Sequence, residues 1–133
     1  MKAQNYGAYG ELLAVKFLKK NGYQILEQNF SAKTGEVDII ALETKKARKR
    51  TEEYKLMPKA DKEAKVVVFV EVKSRTNLSY GAPAEFVDKK KINNYGKVIP
   101  IYLSAIGAPD ARYRCDIIEV VDDKVVSHIK NAF

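Results

Sequence analysis

The spacing of apolar residues divides the chain into helical and extended segments. From Asn5 to Lys20 it has a helical period, with Ala14, Val15, Phe17 and Leu18 on one broad face and Lys16, Lys19 and Lys20 opposite. Asn21-Gly22 is a stop signal, because glycine accepts the left-handed backbone that closes a helix. Tyr23–Phe30 predicts a strand with Tyr23, Ile25 and Glu27 on one side, Ser31–Gly35 a turn, and Val37–Leu42 a second strand. Val66–Ser74 is nearly continuous in apolar, mostly β-branched residues, the pattern of a central strand covered on both faces. After a loop at Tyr80-Gly81-Ala82-Pro83, Asp88 can cap a helix running to about Leu103. Pro100 should kink it, since proline removes a hydrogen bond and crowds the carbonyl of Gly96. Arg112–Val121 and Lys124–Ile129 predict two strands joined by a tight turn. A helix between strands of one sheet implies a crossover, and therefore a mixed α/β sheet.

One stretch breaks the pattern. Glu43–Lys65 is charged, has no strand period and is long for a hairpin, so it predicts a mobile loop with a helical turn near Arg50–Tyr54. Thr44–Lys65 carries nine basic and four acidic residues, a net +5 of the chain's +7. The basic balance therefore belongs to this segment and says little about the core. A chain of 133 residues, 46% of them hydrophobic, fits one domain spanning 1–133 with its own core. The single cysteine, Cys115, permits no internal disulfide and suits a reducing compartment. No apolar run has signal-peptide length or approaches the ~18 residues of a membrane span, so the expectation is a soluble cytoplasmic protein with no membrane partner. One histidine, His128, leaves no material for a histidine-based triad or zinc site.

The chemistry lies in charges set among apolar residues. Alternation along Val66–Ser74 puts Val67, Phe69, Glu71 and Lys73 on one side. Burying either charge alone is costly, so each needs a partner or a metal; a solvated strand end is the plainer alternative. Asp38 sits inside Gly-Glu-Val-Asp-Ile-Ile, where an acid is uncommon, although a turn hydrogen bond would also explain it. If the second and third strands pair, Asp38 and Glu71 approach each other, and close carboxylates repel unless a cation lies between them. Asp38, Glu71 and the Val72 carbonyl could hold such an ion, and oxygen ligands suit Mg²⁺ or Mn²⁺. Glu11 falls on the apolar helix face between Val15 and Leu18, either looking into the same site or marking where that face is uncovered.

The stretches GELLAVKFLKKNGYQILEQNF, GEVDIIA, VFVEVKSR, YGAPAEFVDKKK and RCDIIEV span most of the chain. In this order they resemble the YraN-type family of small bacterial proteins, within the PD-(D/E)XK nuclease superfamily. The resemblance implies a restriction-endonuclease-like core, a mixed central sheet flanked by helices, close to Holliday-junction resolvases. By motif position it implies Asp38, Glu71 and Lys73 as the nuclease signature and Glu11 as the helix acid. Arg75 and Lys91, the latter matching a lysine of the family, are candidate phosphate contacts. The expected activity is Mg²⁺- or Mn²⁺-dependent hydrolysis of phosphodiester bonds in DNA, branched or structured DNA included. A homodimer would suit an enzyme that must cut twice. A non-catalytic nucleic-acid-binding module with the same fold is the alternative, and an adaptor using the charged segment a third. The longer charged segment and Pro100 depart from the family pattern without touching the signature.

Overall fold

The computed structural model describes residues 6–76 and 89–133. Its elements are α1 (Tyr6–Lys20), β1 (Gln24–Ala32), β2 (Gly35–Glu43), α2 (Lys45–Arg48), a 3₁₀ turn (Glu52–Leu56), α3 (Lys59–Glu63), β3 (Val66–Arg75), α4 (Lys89–Ala105), β4 (Arg112–Val121) and β5 (Lys124–Ile129). The five strands lie in chain order in one sheet. All neighbours are antiparallel except β3 and β4, which run parallel. That pair needs the crossover carrying α4, so the sheet is mixed as expected. The Tyr80–Pro83 loop and the Asp88 cap lie outside the described residues. α4 stays helical through Pro100, whose ring is exposed.

Strand alternation builds two cores. Val68 and Val70 of β3 pack with Ala14, Val15 and Leu18 of α1, and Val67 and Phe69 pack with Tyr95, Val98, Ile99 and Tyr102 of α4. β3 is therefore covered on both faces, which its unbroken apolar run requires.

The charged segment departs from expectation in its first part: α2 is packed against the body with Ala47 and Arg48 buried, whereas the 3₁₀ turn and α3 bury no residue. The Thr44 hydroxyl donates to the Gly22 carbonyl at 2.6 Å and accepts from the Ala47 N–H at 3.2 Å, capping α2. Gly22 has φ +90, and a Cβ there would meet the Ala47 backbone nitrogen at 2.8 Å. Only glycine lets α2 dock so closely on the end of α1. Arg48, 3% exposed, donates from Nε to Glu43 Oε1 at 3.2 Å and from its Nη atoms to the carbonyls of Lys62 and Ala64. One guanidinium has five donors, enough to fix a loop backbone that no hydrophobic pattern announces.

Beneath the α1 face a second arginine organises a buried acid network. Arg114 donates to Asp116 Oδ1 at 2.8 Å, Asp116 Oδ2 at 2.9 Å, Glu43 Oε2 at 2.8 Å and the Tyr23 hydroxyl at 3.1 Å. Asp116 also meets His128 Nε2 at 2.8 Å and accepts from the Asn131 N–H at 3.0 Å.

Candidate functional site

Asp38 occupies a break in β2. The β1 ladder passes from Gln28–Ile39 to Phe30–Val37, skipping Asn29 and Asp38, and the β3 ladder ends at Ile39–Val70. Asn29 has φ +53, a left-handed conformation that asparagine tolerates better than most residues. Strict alternation fails at the same point: Val37 and Ile40 pack in the α4 core, Ile39 and Ala41 in the α1 core. The break frees Asp38 Oδ2 to accept the Val72 N–H at 2.8 Å. One further step along the register would set Asp38 opposite Glu71.

Glu71 is 6% exposed. Its Oε1 is 2.9 Å from Lys91 Nζ on α4, and its buried Oε2 has no hydrogen-bond partner. The Tyr95 hydroxyl, also on α4, is buried with no side-chain partner; it faces the Asp38 backbone and lies in the fields of Asp38 and Glu71. Burial, helped by those two acids, pushes the phenol far up. Burial likewise raises Asp38, with the Val72 N–H opposing the shift and Glu71 adding to it.

α1 brings a third acid to this end of the sheet. A Cβ on Gly10 would overlap Ser74 Oγ and lie 3.2 Å from Ser74 Cβ, so glycine lets the helix start rest on the end of β3. Glu11 follows directly. With its amide nitrogen turned toward the acids, Asn29 donates to Glu11 Oε1 at 2.8 Å and to Glu36 Oε1 at 3.3 Å. Burial, then the charges of Asp38 and Glu36, pushes Glu11 up to about 7.

The structure thus gathers Asp38, Glu71 and Glu11 around one sheet end. Lys73 is half-buried two residues beyond Glu71. Lys91 lies on Glu71 itself, and Arg75 is ion-paired with Glu119 of β4. Sequence reasoning missed Asn29 and Tyr95, since one reads as an exposed strand residue and the other as a core aromatic on an apolar helix face. Among the described residues no three His, Cys, Asp or Glu side chains form a ready-made metal cluster. The donor set still fits a hard divalent cation. It is all oxygen, and the buried Glu71 Oε2 lacks the partner that buried polar groups normally have.

A five-stranded mixed sheet between two helices, with acids at one end, is the architecture of a restriction-endonuclease-like α/β domain. The chain belongs to Uncharacterised protein family UPF0102, the YraN-type family, whose model matches residues 10–120. It is 38% identical to "UPF0102 protein TTE1452" of Caldanaerobacter subterraneus subsp. tengcongensis, over 96% of this chain and 93% of the relative. It is also 38% identical to a UPF0102 protein of Caldicellulosiruptor saccharolyticus over the full length of both. A third, from Acetivibrio thermocellus, is 38% identical over 96% of this chain and 89% of the relative.

Proposed function

We propose that this protein is a metal-dependent endonuclease hydrolysing phosphodiester bonds in DNA, branched or structured DNA included. The observation that carries the reading is the buried Glu71 Oε2, which has no hydrogen-bond partner, in a site shared with Asp38 and walled by Tyr95. Asp38, Glu71 and the Val72 carbonyl are the residues that would hold Mg²⁺ or Mn²⁺. Such an ion neutralises charge on phosphoryl oxygens and lowers the pKa of an attacking water. Lys73 would stabilise charge developing on the phosphate. Glu11 and Asn29 form the polar wall that orients water within the site. Lys91 neutralises Glu71 and, once parted from it, remains a cation beside the substrate phosphate; Arg75 would be a second phosphate contact if released from Glu119. Among the described residues no helix is long and apolar enough to cross a membrane. A cytoplasmic location belongs to the proposal, as does a homodimer for paired cuts.

One observation favours a non-catalytic nucleic-acid-binding module. Lys91 already neutralises Glu71, and the Val72 N–H already engages Asp38. The test is incubation of purified protein with linear, flapped and four-way DNA in Mg²⁺, Mn²⁺ or EDTA. Cleavage that needs metal supports the enzyme. Metal-free binding with no cleavage of any substrate assigns the module instead.

A further inference from the structure

A cleft away from the acid site has the opposite charge. It holds about 140 Å³ between the end of α1, the segment after α2 and the end of β5, and its polar lining includes Asn21, Arg50, Thr51, His128 and Lys130. No aspartate or glutamate lines it. Among the described residues neither Arg50 nor Lys130 pairs with a carboxylate. Arg50 Nε donates to Asn21 Oδ1 at 3.2 Å, which leaves both Nη groups available. His128 donates from Nε2 to Asp116 at 2.8 Å, so its ring lines the cleft without adding a donor for an oxyanion. Of the basic residues nearby in the chain, Lys45 is matched by Glu63 at 3.1 Å and Arg48 by Glu43 at 3.2 Å, while Lys46 and Lys49 are exposed and do not line the cleft. The cleft is therefore set apart by geometry, since it holds two cations unpaired among the described residues, Arg50 and Lys130, along one concave surface.

We propose that this cleft binds a phosphate group, and that the backbone of a nucleic-acid strand is the source. A planar guanidinium with free Nη donors beside an ammonium is the donor set that phosphate oxygens require. The volume suits a tetrahedral oxyanion and falls below the ~300–1,000 Å³ of pockets that take drug-sized ligands. The cradle is held in place, because Thr44 and Gly22 fasten α2 to the end of α1 and so fix the chain leading to Arg50. At ~1.5 Å per residue, Asn21 lies about 15 Å along α1 from Glu11, the span a strand touching both cleft and acid site would have to bridge. This choice of source rests on the nucleic-acid reading above; the affinity for phosphate does not.

His128 is the chain's single histidine, so its imidazole resonances report on the cleft without ambiguity. The experiment titrates the full-length protein in EDTA with inorganic phosphate, and separately with a short DNA duplex, following those resonances by NMR. Chloride at matched ionic strength is the control. Saturable shifts with phosphate, absent with chloride, are expected. An Arg50→Ala/Lys130→Ala double variant should weaken phosphate binding by about tenfold or more. Removing equal charge elsewhere on the segment, Lys55→Ala/Lys59→Ala, should change it less than about twofold. Weakened DNA binding in the first variant alone supports a strand as the source. Phosphate binding with DNA affinity untouched supports the site but makes free phosphate its ligand. Shifts that chloride reproduces, or that survive in the double variant, overturn the proposal. No metal is present, so an inactive nuclease would leave this outcome intact, and an active one would not rescue it.

Discussion

The protein holds two groups of acids, one buried and one partly buried, made from the same kinds of side chain, and treats them in opposite ways. Under α1, Asp116 and Glu43 are surrounded by donors from Arg114, Arg48, His128 and the Asn131 backbone. Burial alone would raise both, but these hydrogen bonds and charges outweigh it and hold both below the ordinary carboxylate range. At the other group, Asp38 and Glu11 are raised, and one oxygen of Glu71 has no partner. Acid content does not distinguish the groups; the donor supply does. A saturated network serves the fold, whereas undersupplied carboxylates remain able to take a ligand from outside.

The largest effect should come from the undersupplied side. Asp38→Asn keeps an oxygen for the Val72 N–H but removes the charge, so cleavage should fall by orders of magnitude while DNA binding in EDTA holds or tightens. Gel assays of cutting and binding on the same four-way DNA check this; undiminished cutting would end the metal-site reading.

Next comes the saturated side. Arg114→Ala leaves Asp116 and Glu43 buried without their main partner and should cost about 3–5 kcal/mol of stability in urea unfolding. A loss under about 1 kcal/mol would show that the two groups do not differ as argued.

The groups should also respond oppositely to pH. Glu11 is raised from 4.5 to about 7, so it favours the folded state fully below 4.5, and that contribution is lost as pH rises through about 7. Glu11→Gln should therefore be more stable than the parent at pH 8, by on the order of 1 kcal/mol after allowing for solvent screening. At pH 4 the two should be equal. Asp116 and Glu43 are lowered, so their contribution is present above their ordinary values, 3.8 and 4.5, and fades as pH falls below them. Thermal melts from pH 3 to 8 separate the two slopes. The smallest effect is expected for Tyr95→Phe, with stability within about 1 kcal/mol because the hydroxyl has no side-chain partner and at most one contact with the Asp38 backbone to lose, yet with a measurable drop in cleavage rate.

Most of the architecture was legible in the sequence. β4 and β5 begin and end where their β-branched runs meet polar turns, and β3 extends one residue past the expected end. Asp38 and Glu71 stood out because charge in an apolar strand needs a reason. Asn29 did not, since its role depends on a left-handed backbone opposite Asp38 that strand periodicity cannot announce. The Lys91–Glu71 pair spans the crossover from β3 to α4, so local pattern does not reveal it. The packed segment after β2 was missed because Arg48 looks like the other basic residues around it until its burial is known.

The parallel β3–β4 pair also fixes an order of assembly. β1 with β2 and β4 with β5 are joined by short turns, whereas Val66 meets Arg112 only after the whole of α4 has been laid across the sheet. Long closures lose more chain entropy before any contact compensates, and parallel pairing is correspondingly slow. Lys91 and Tyr95 lie on that crossover, so the acid site gains its final members when the slowest pairing closes. A nascent or partly refolded chain would therefore hold its hairpins before it completes the acid site, and the Lys91–Glu71 contact should form later in refolding than the hairpin strands.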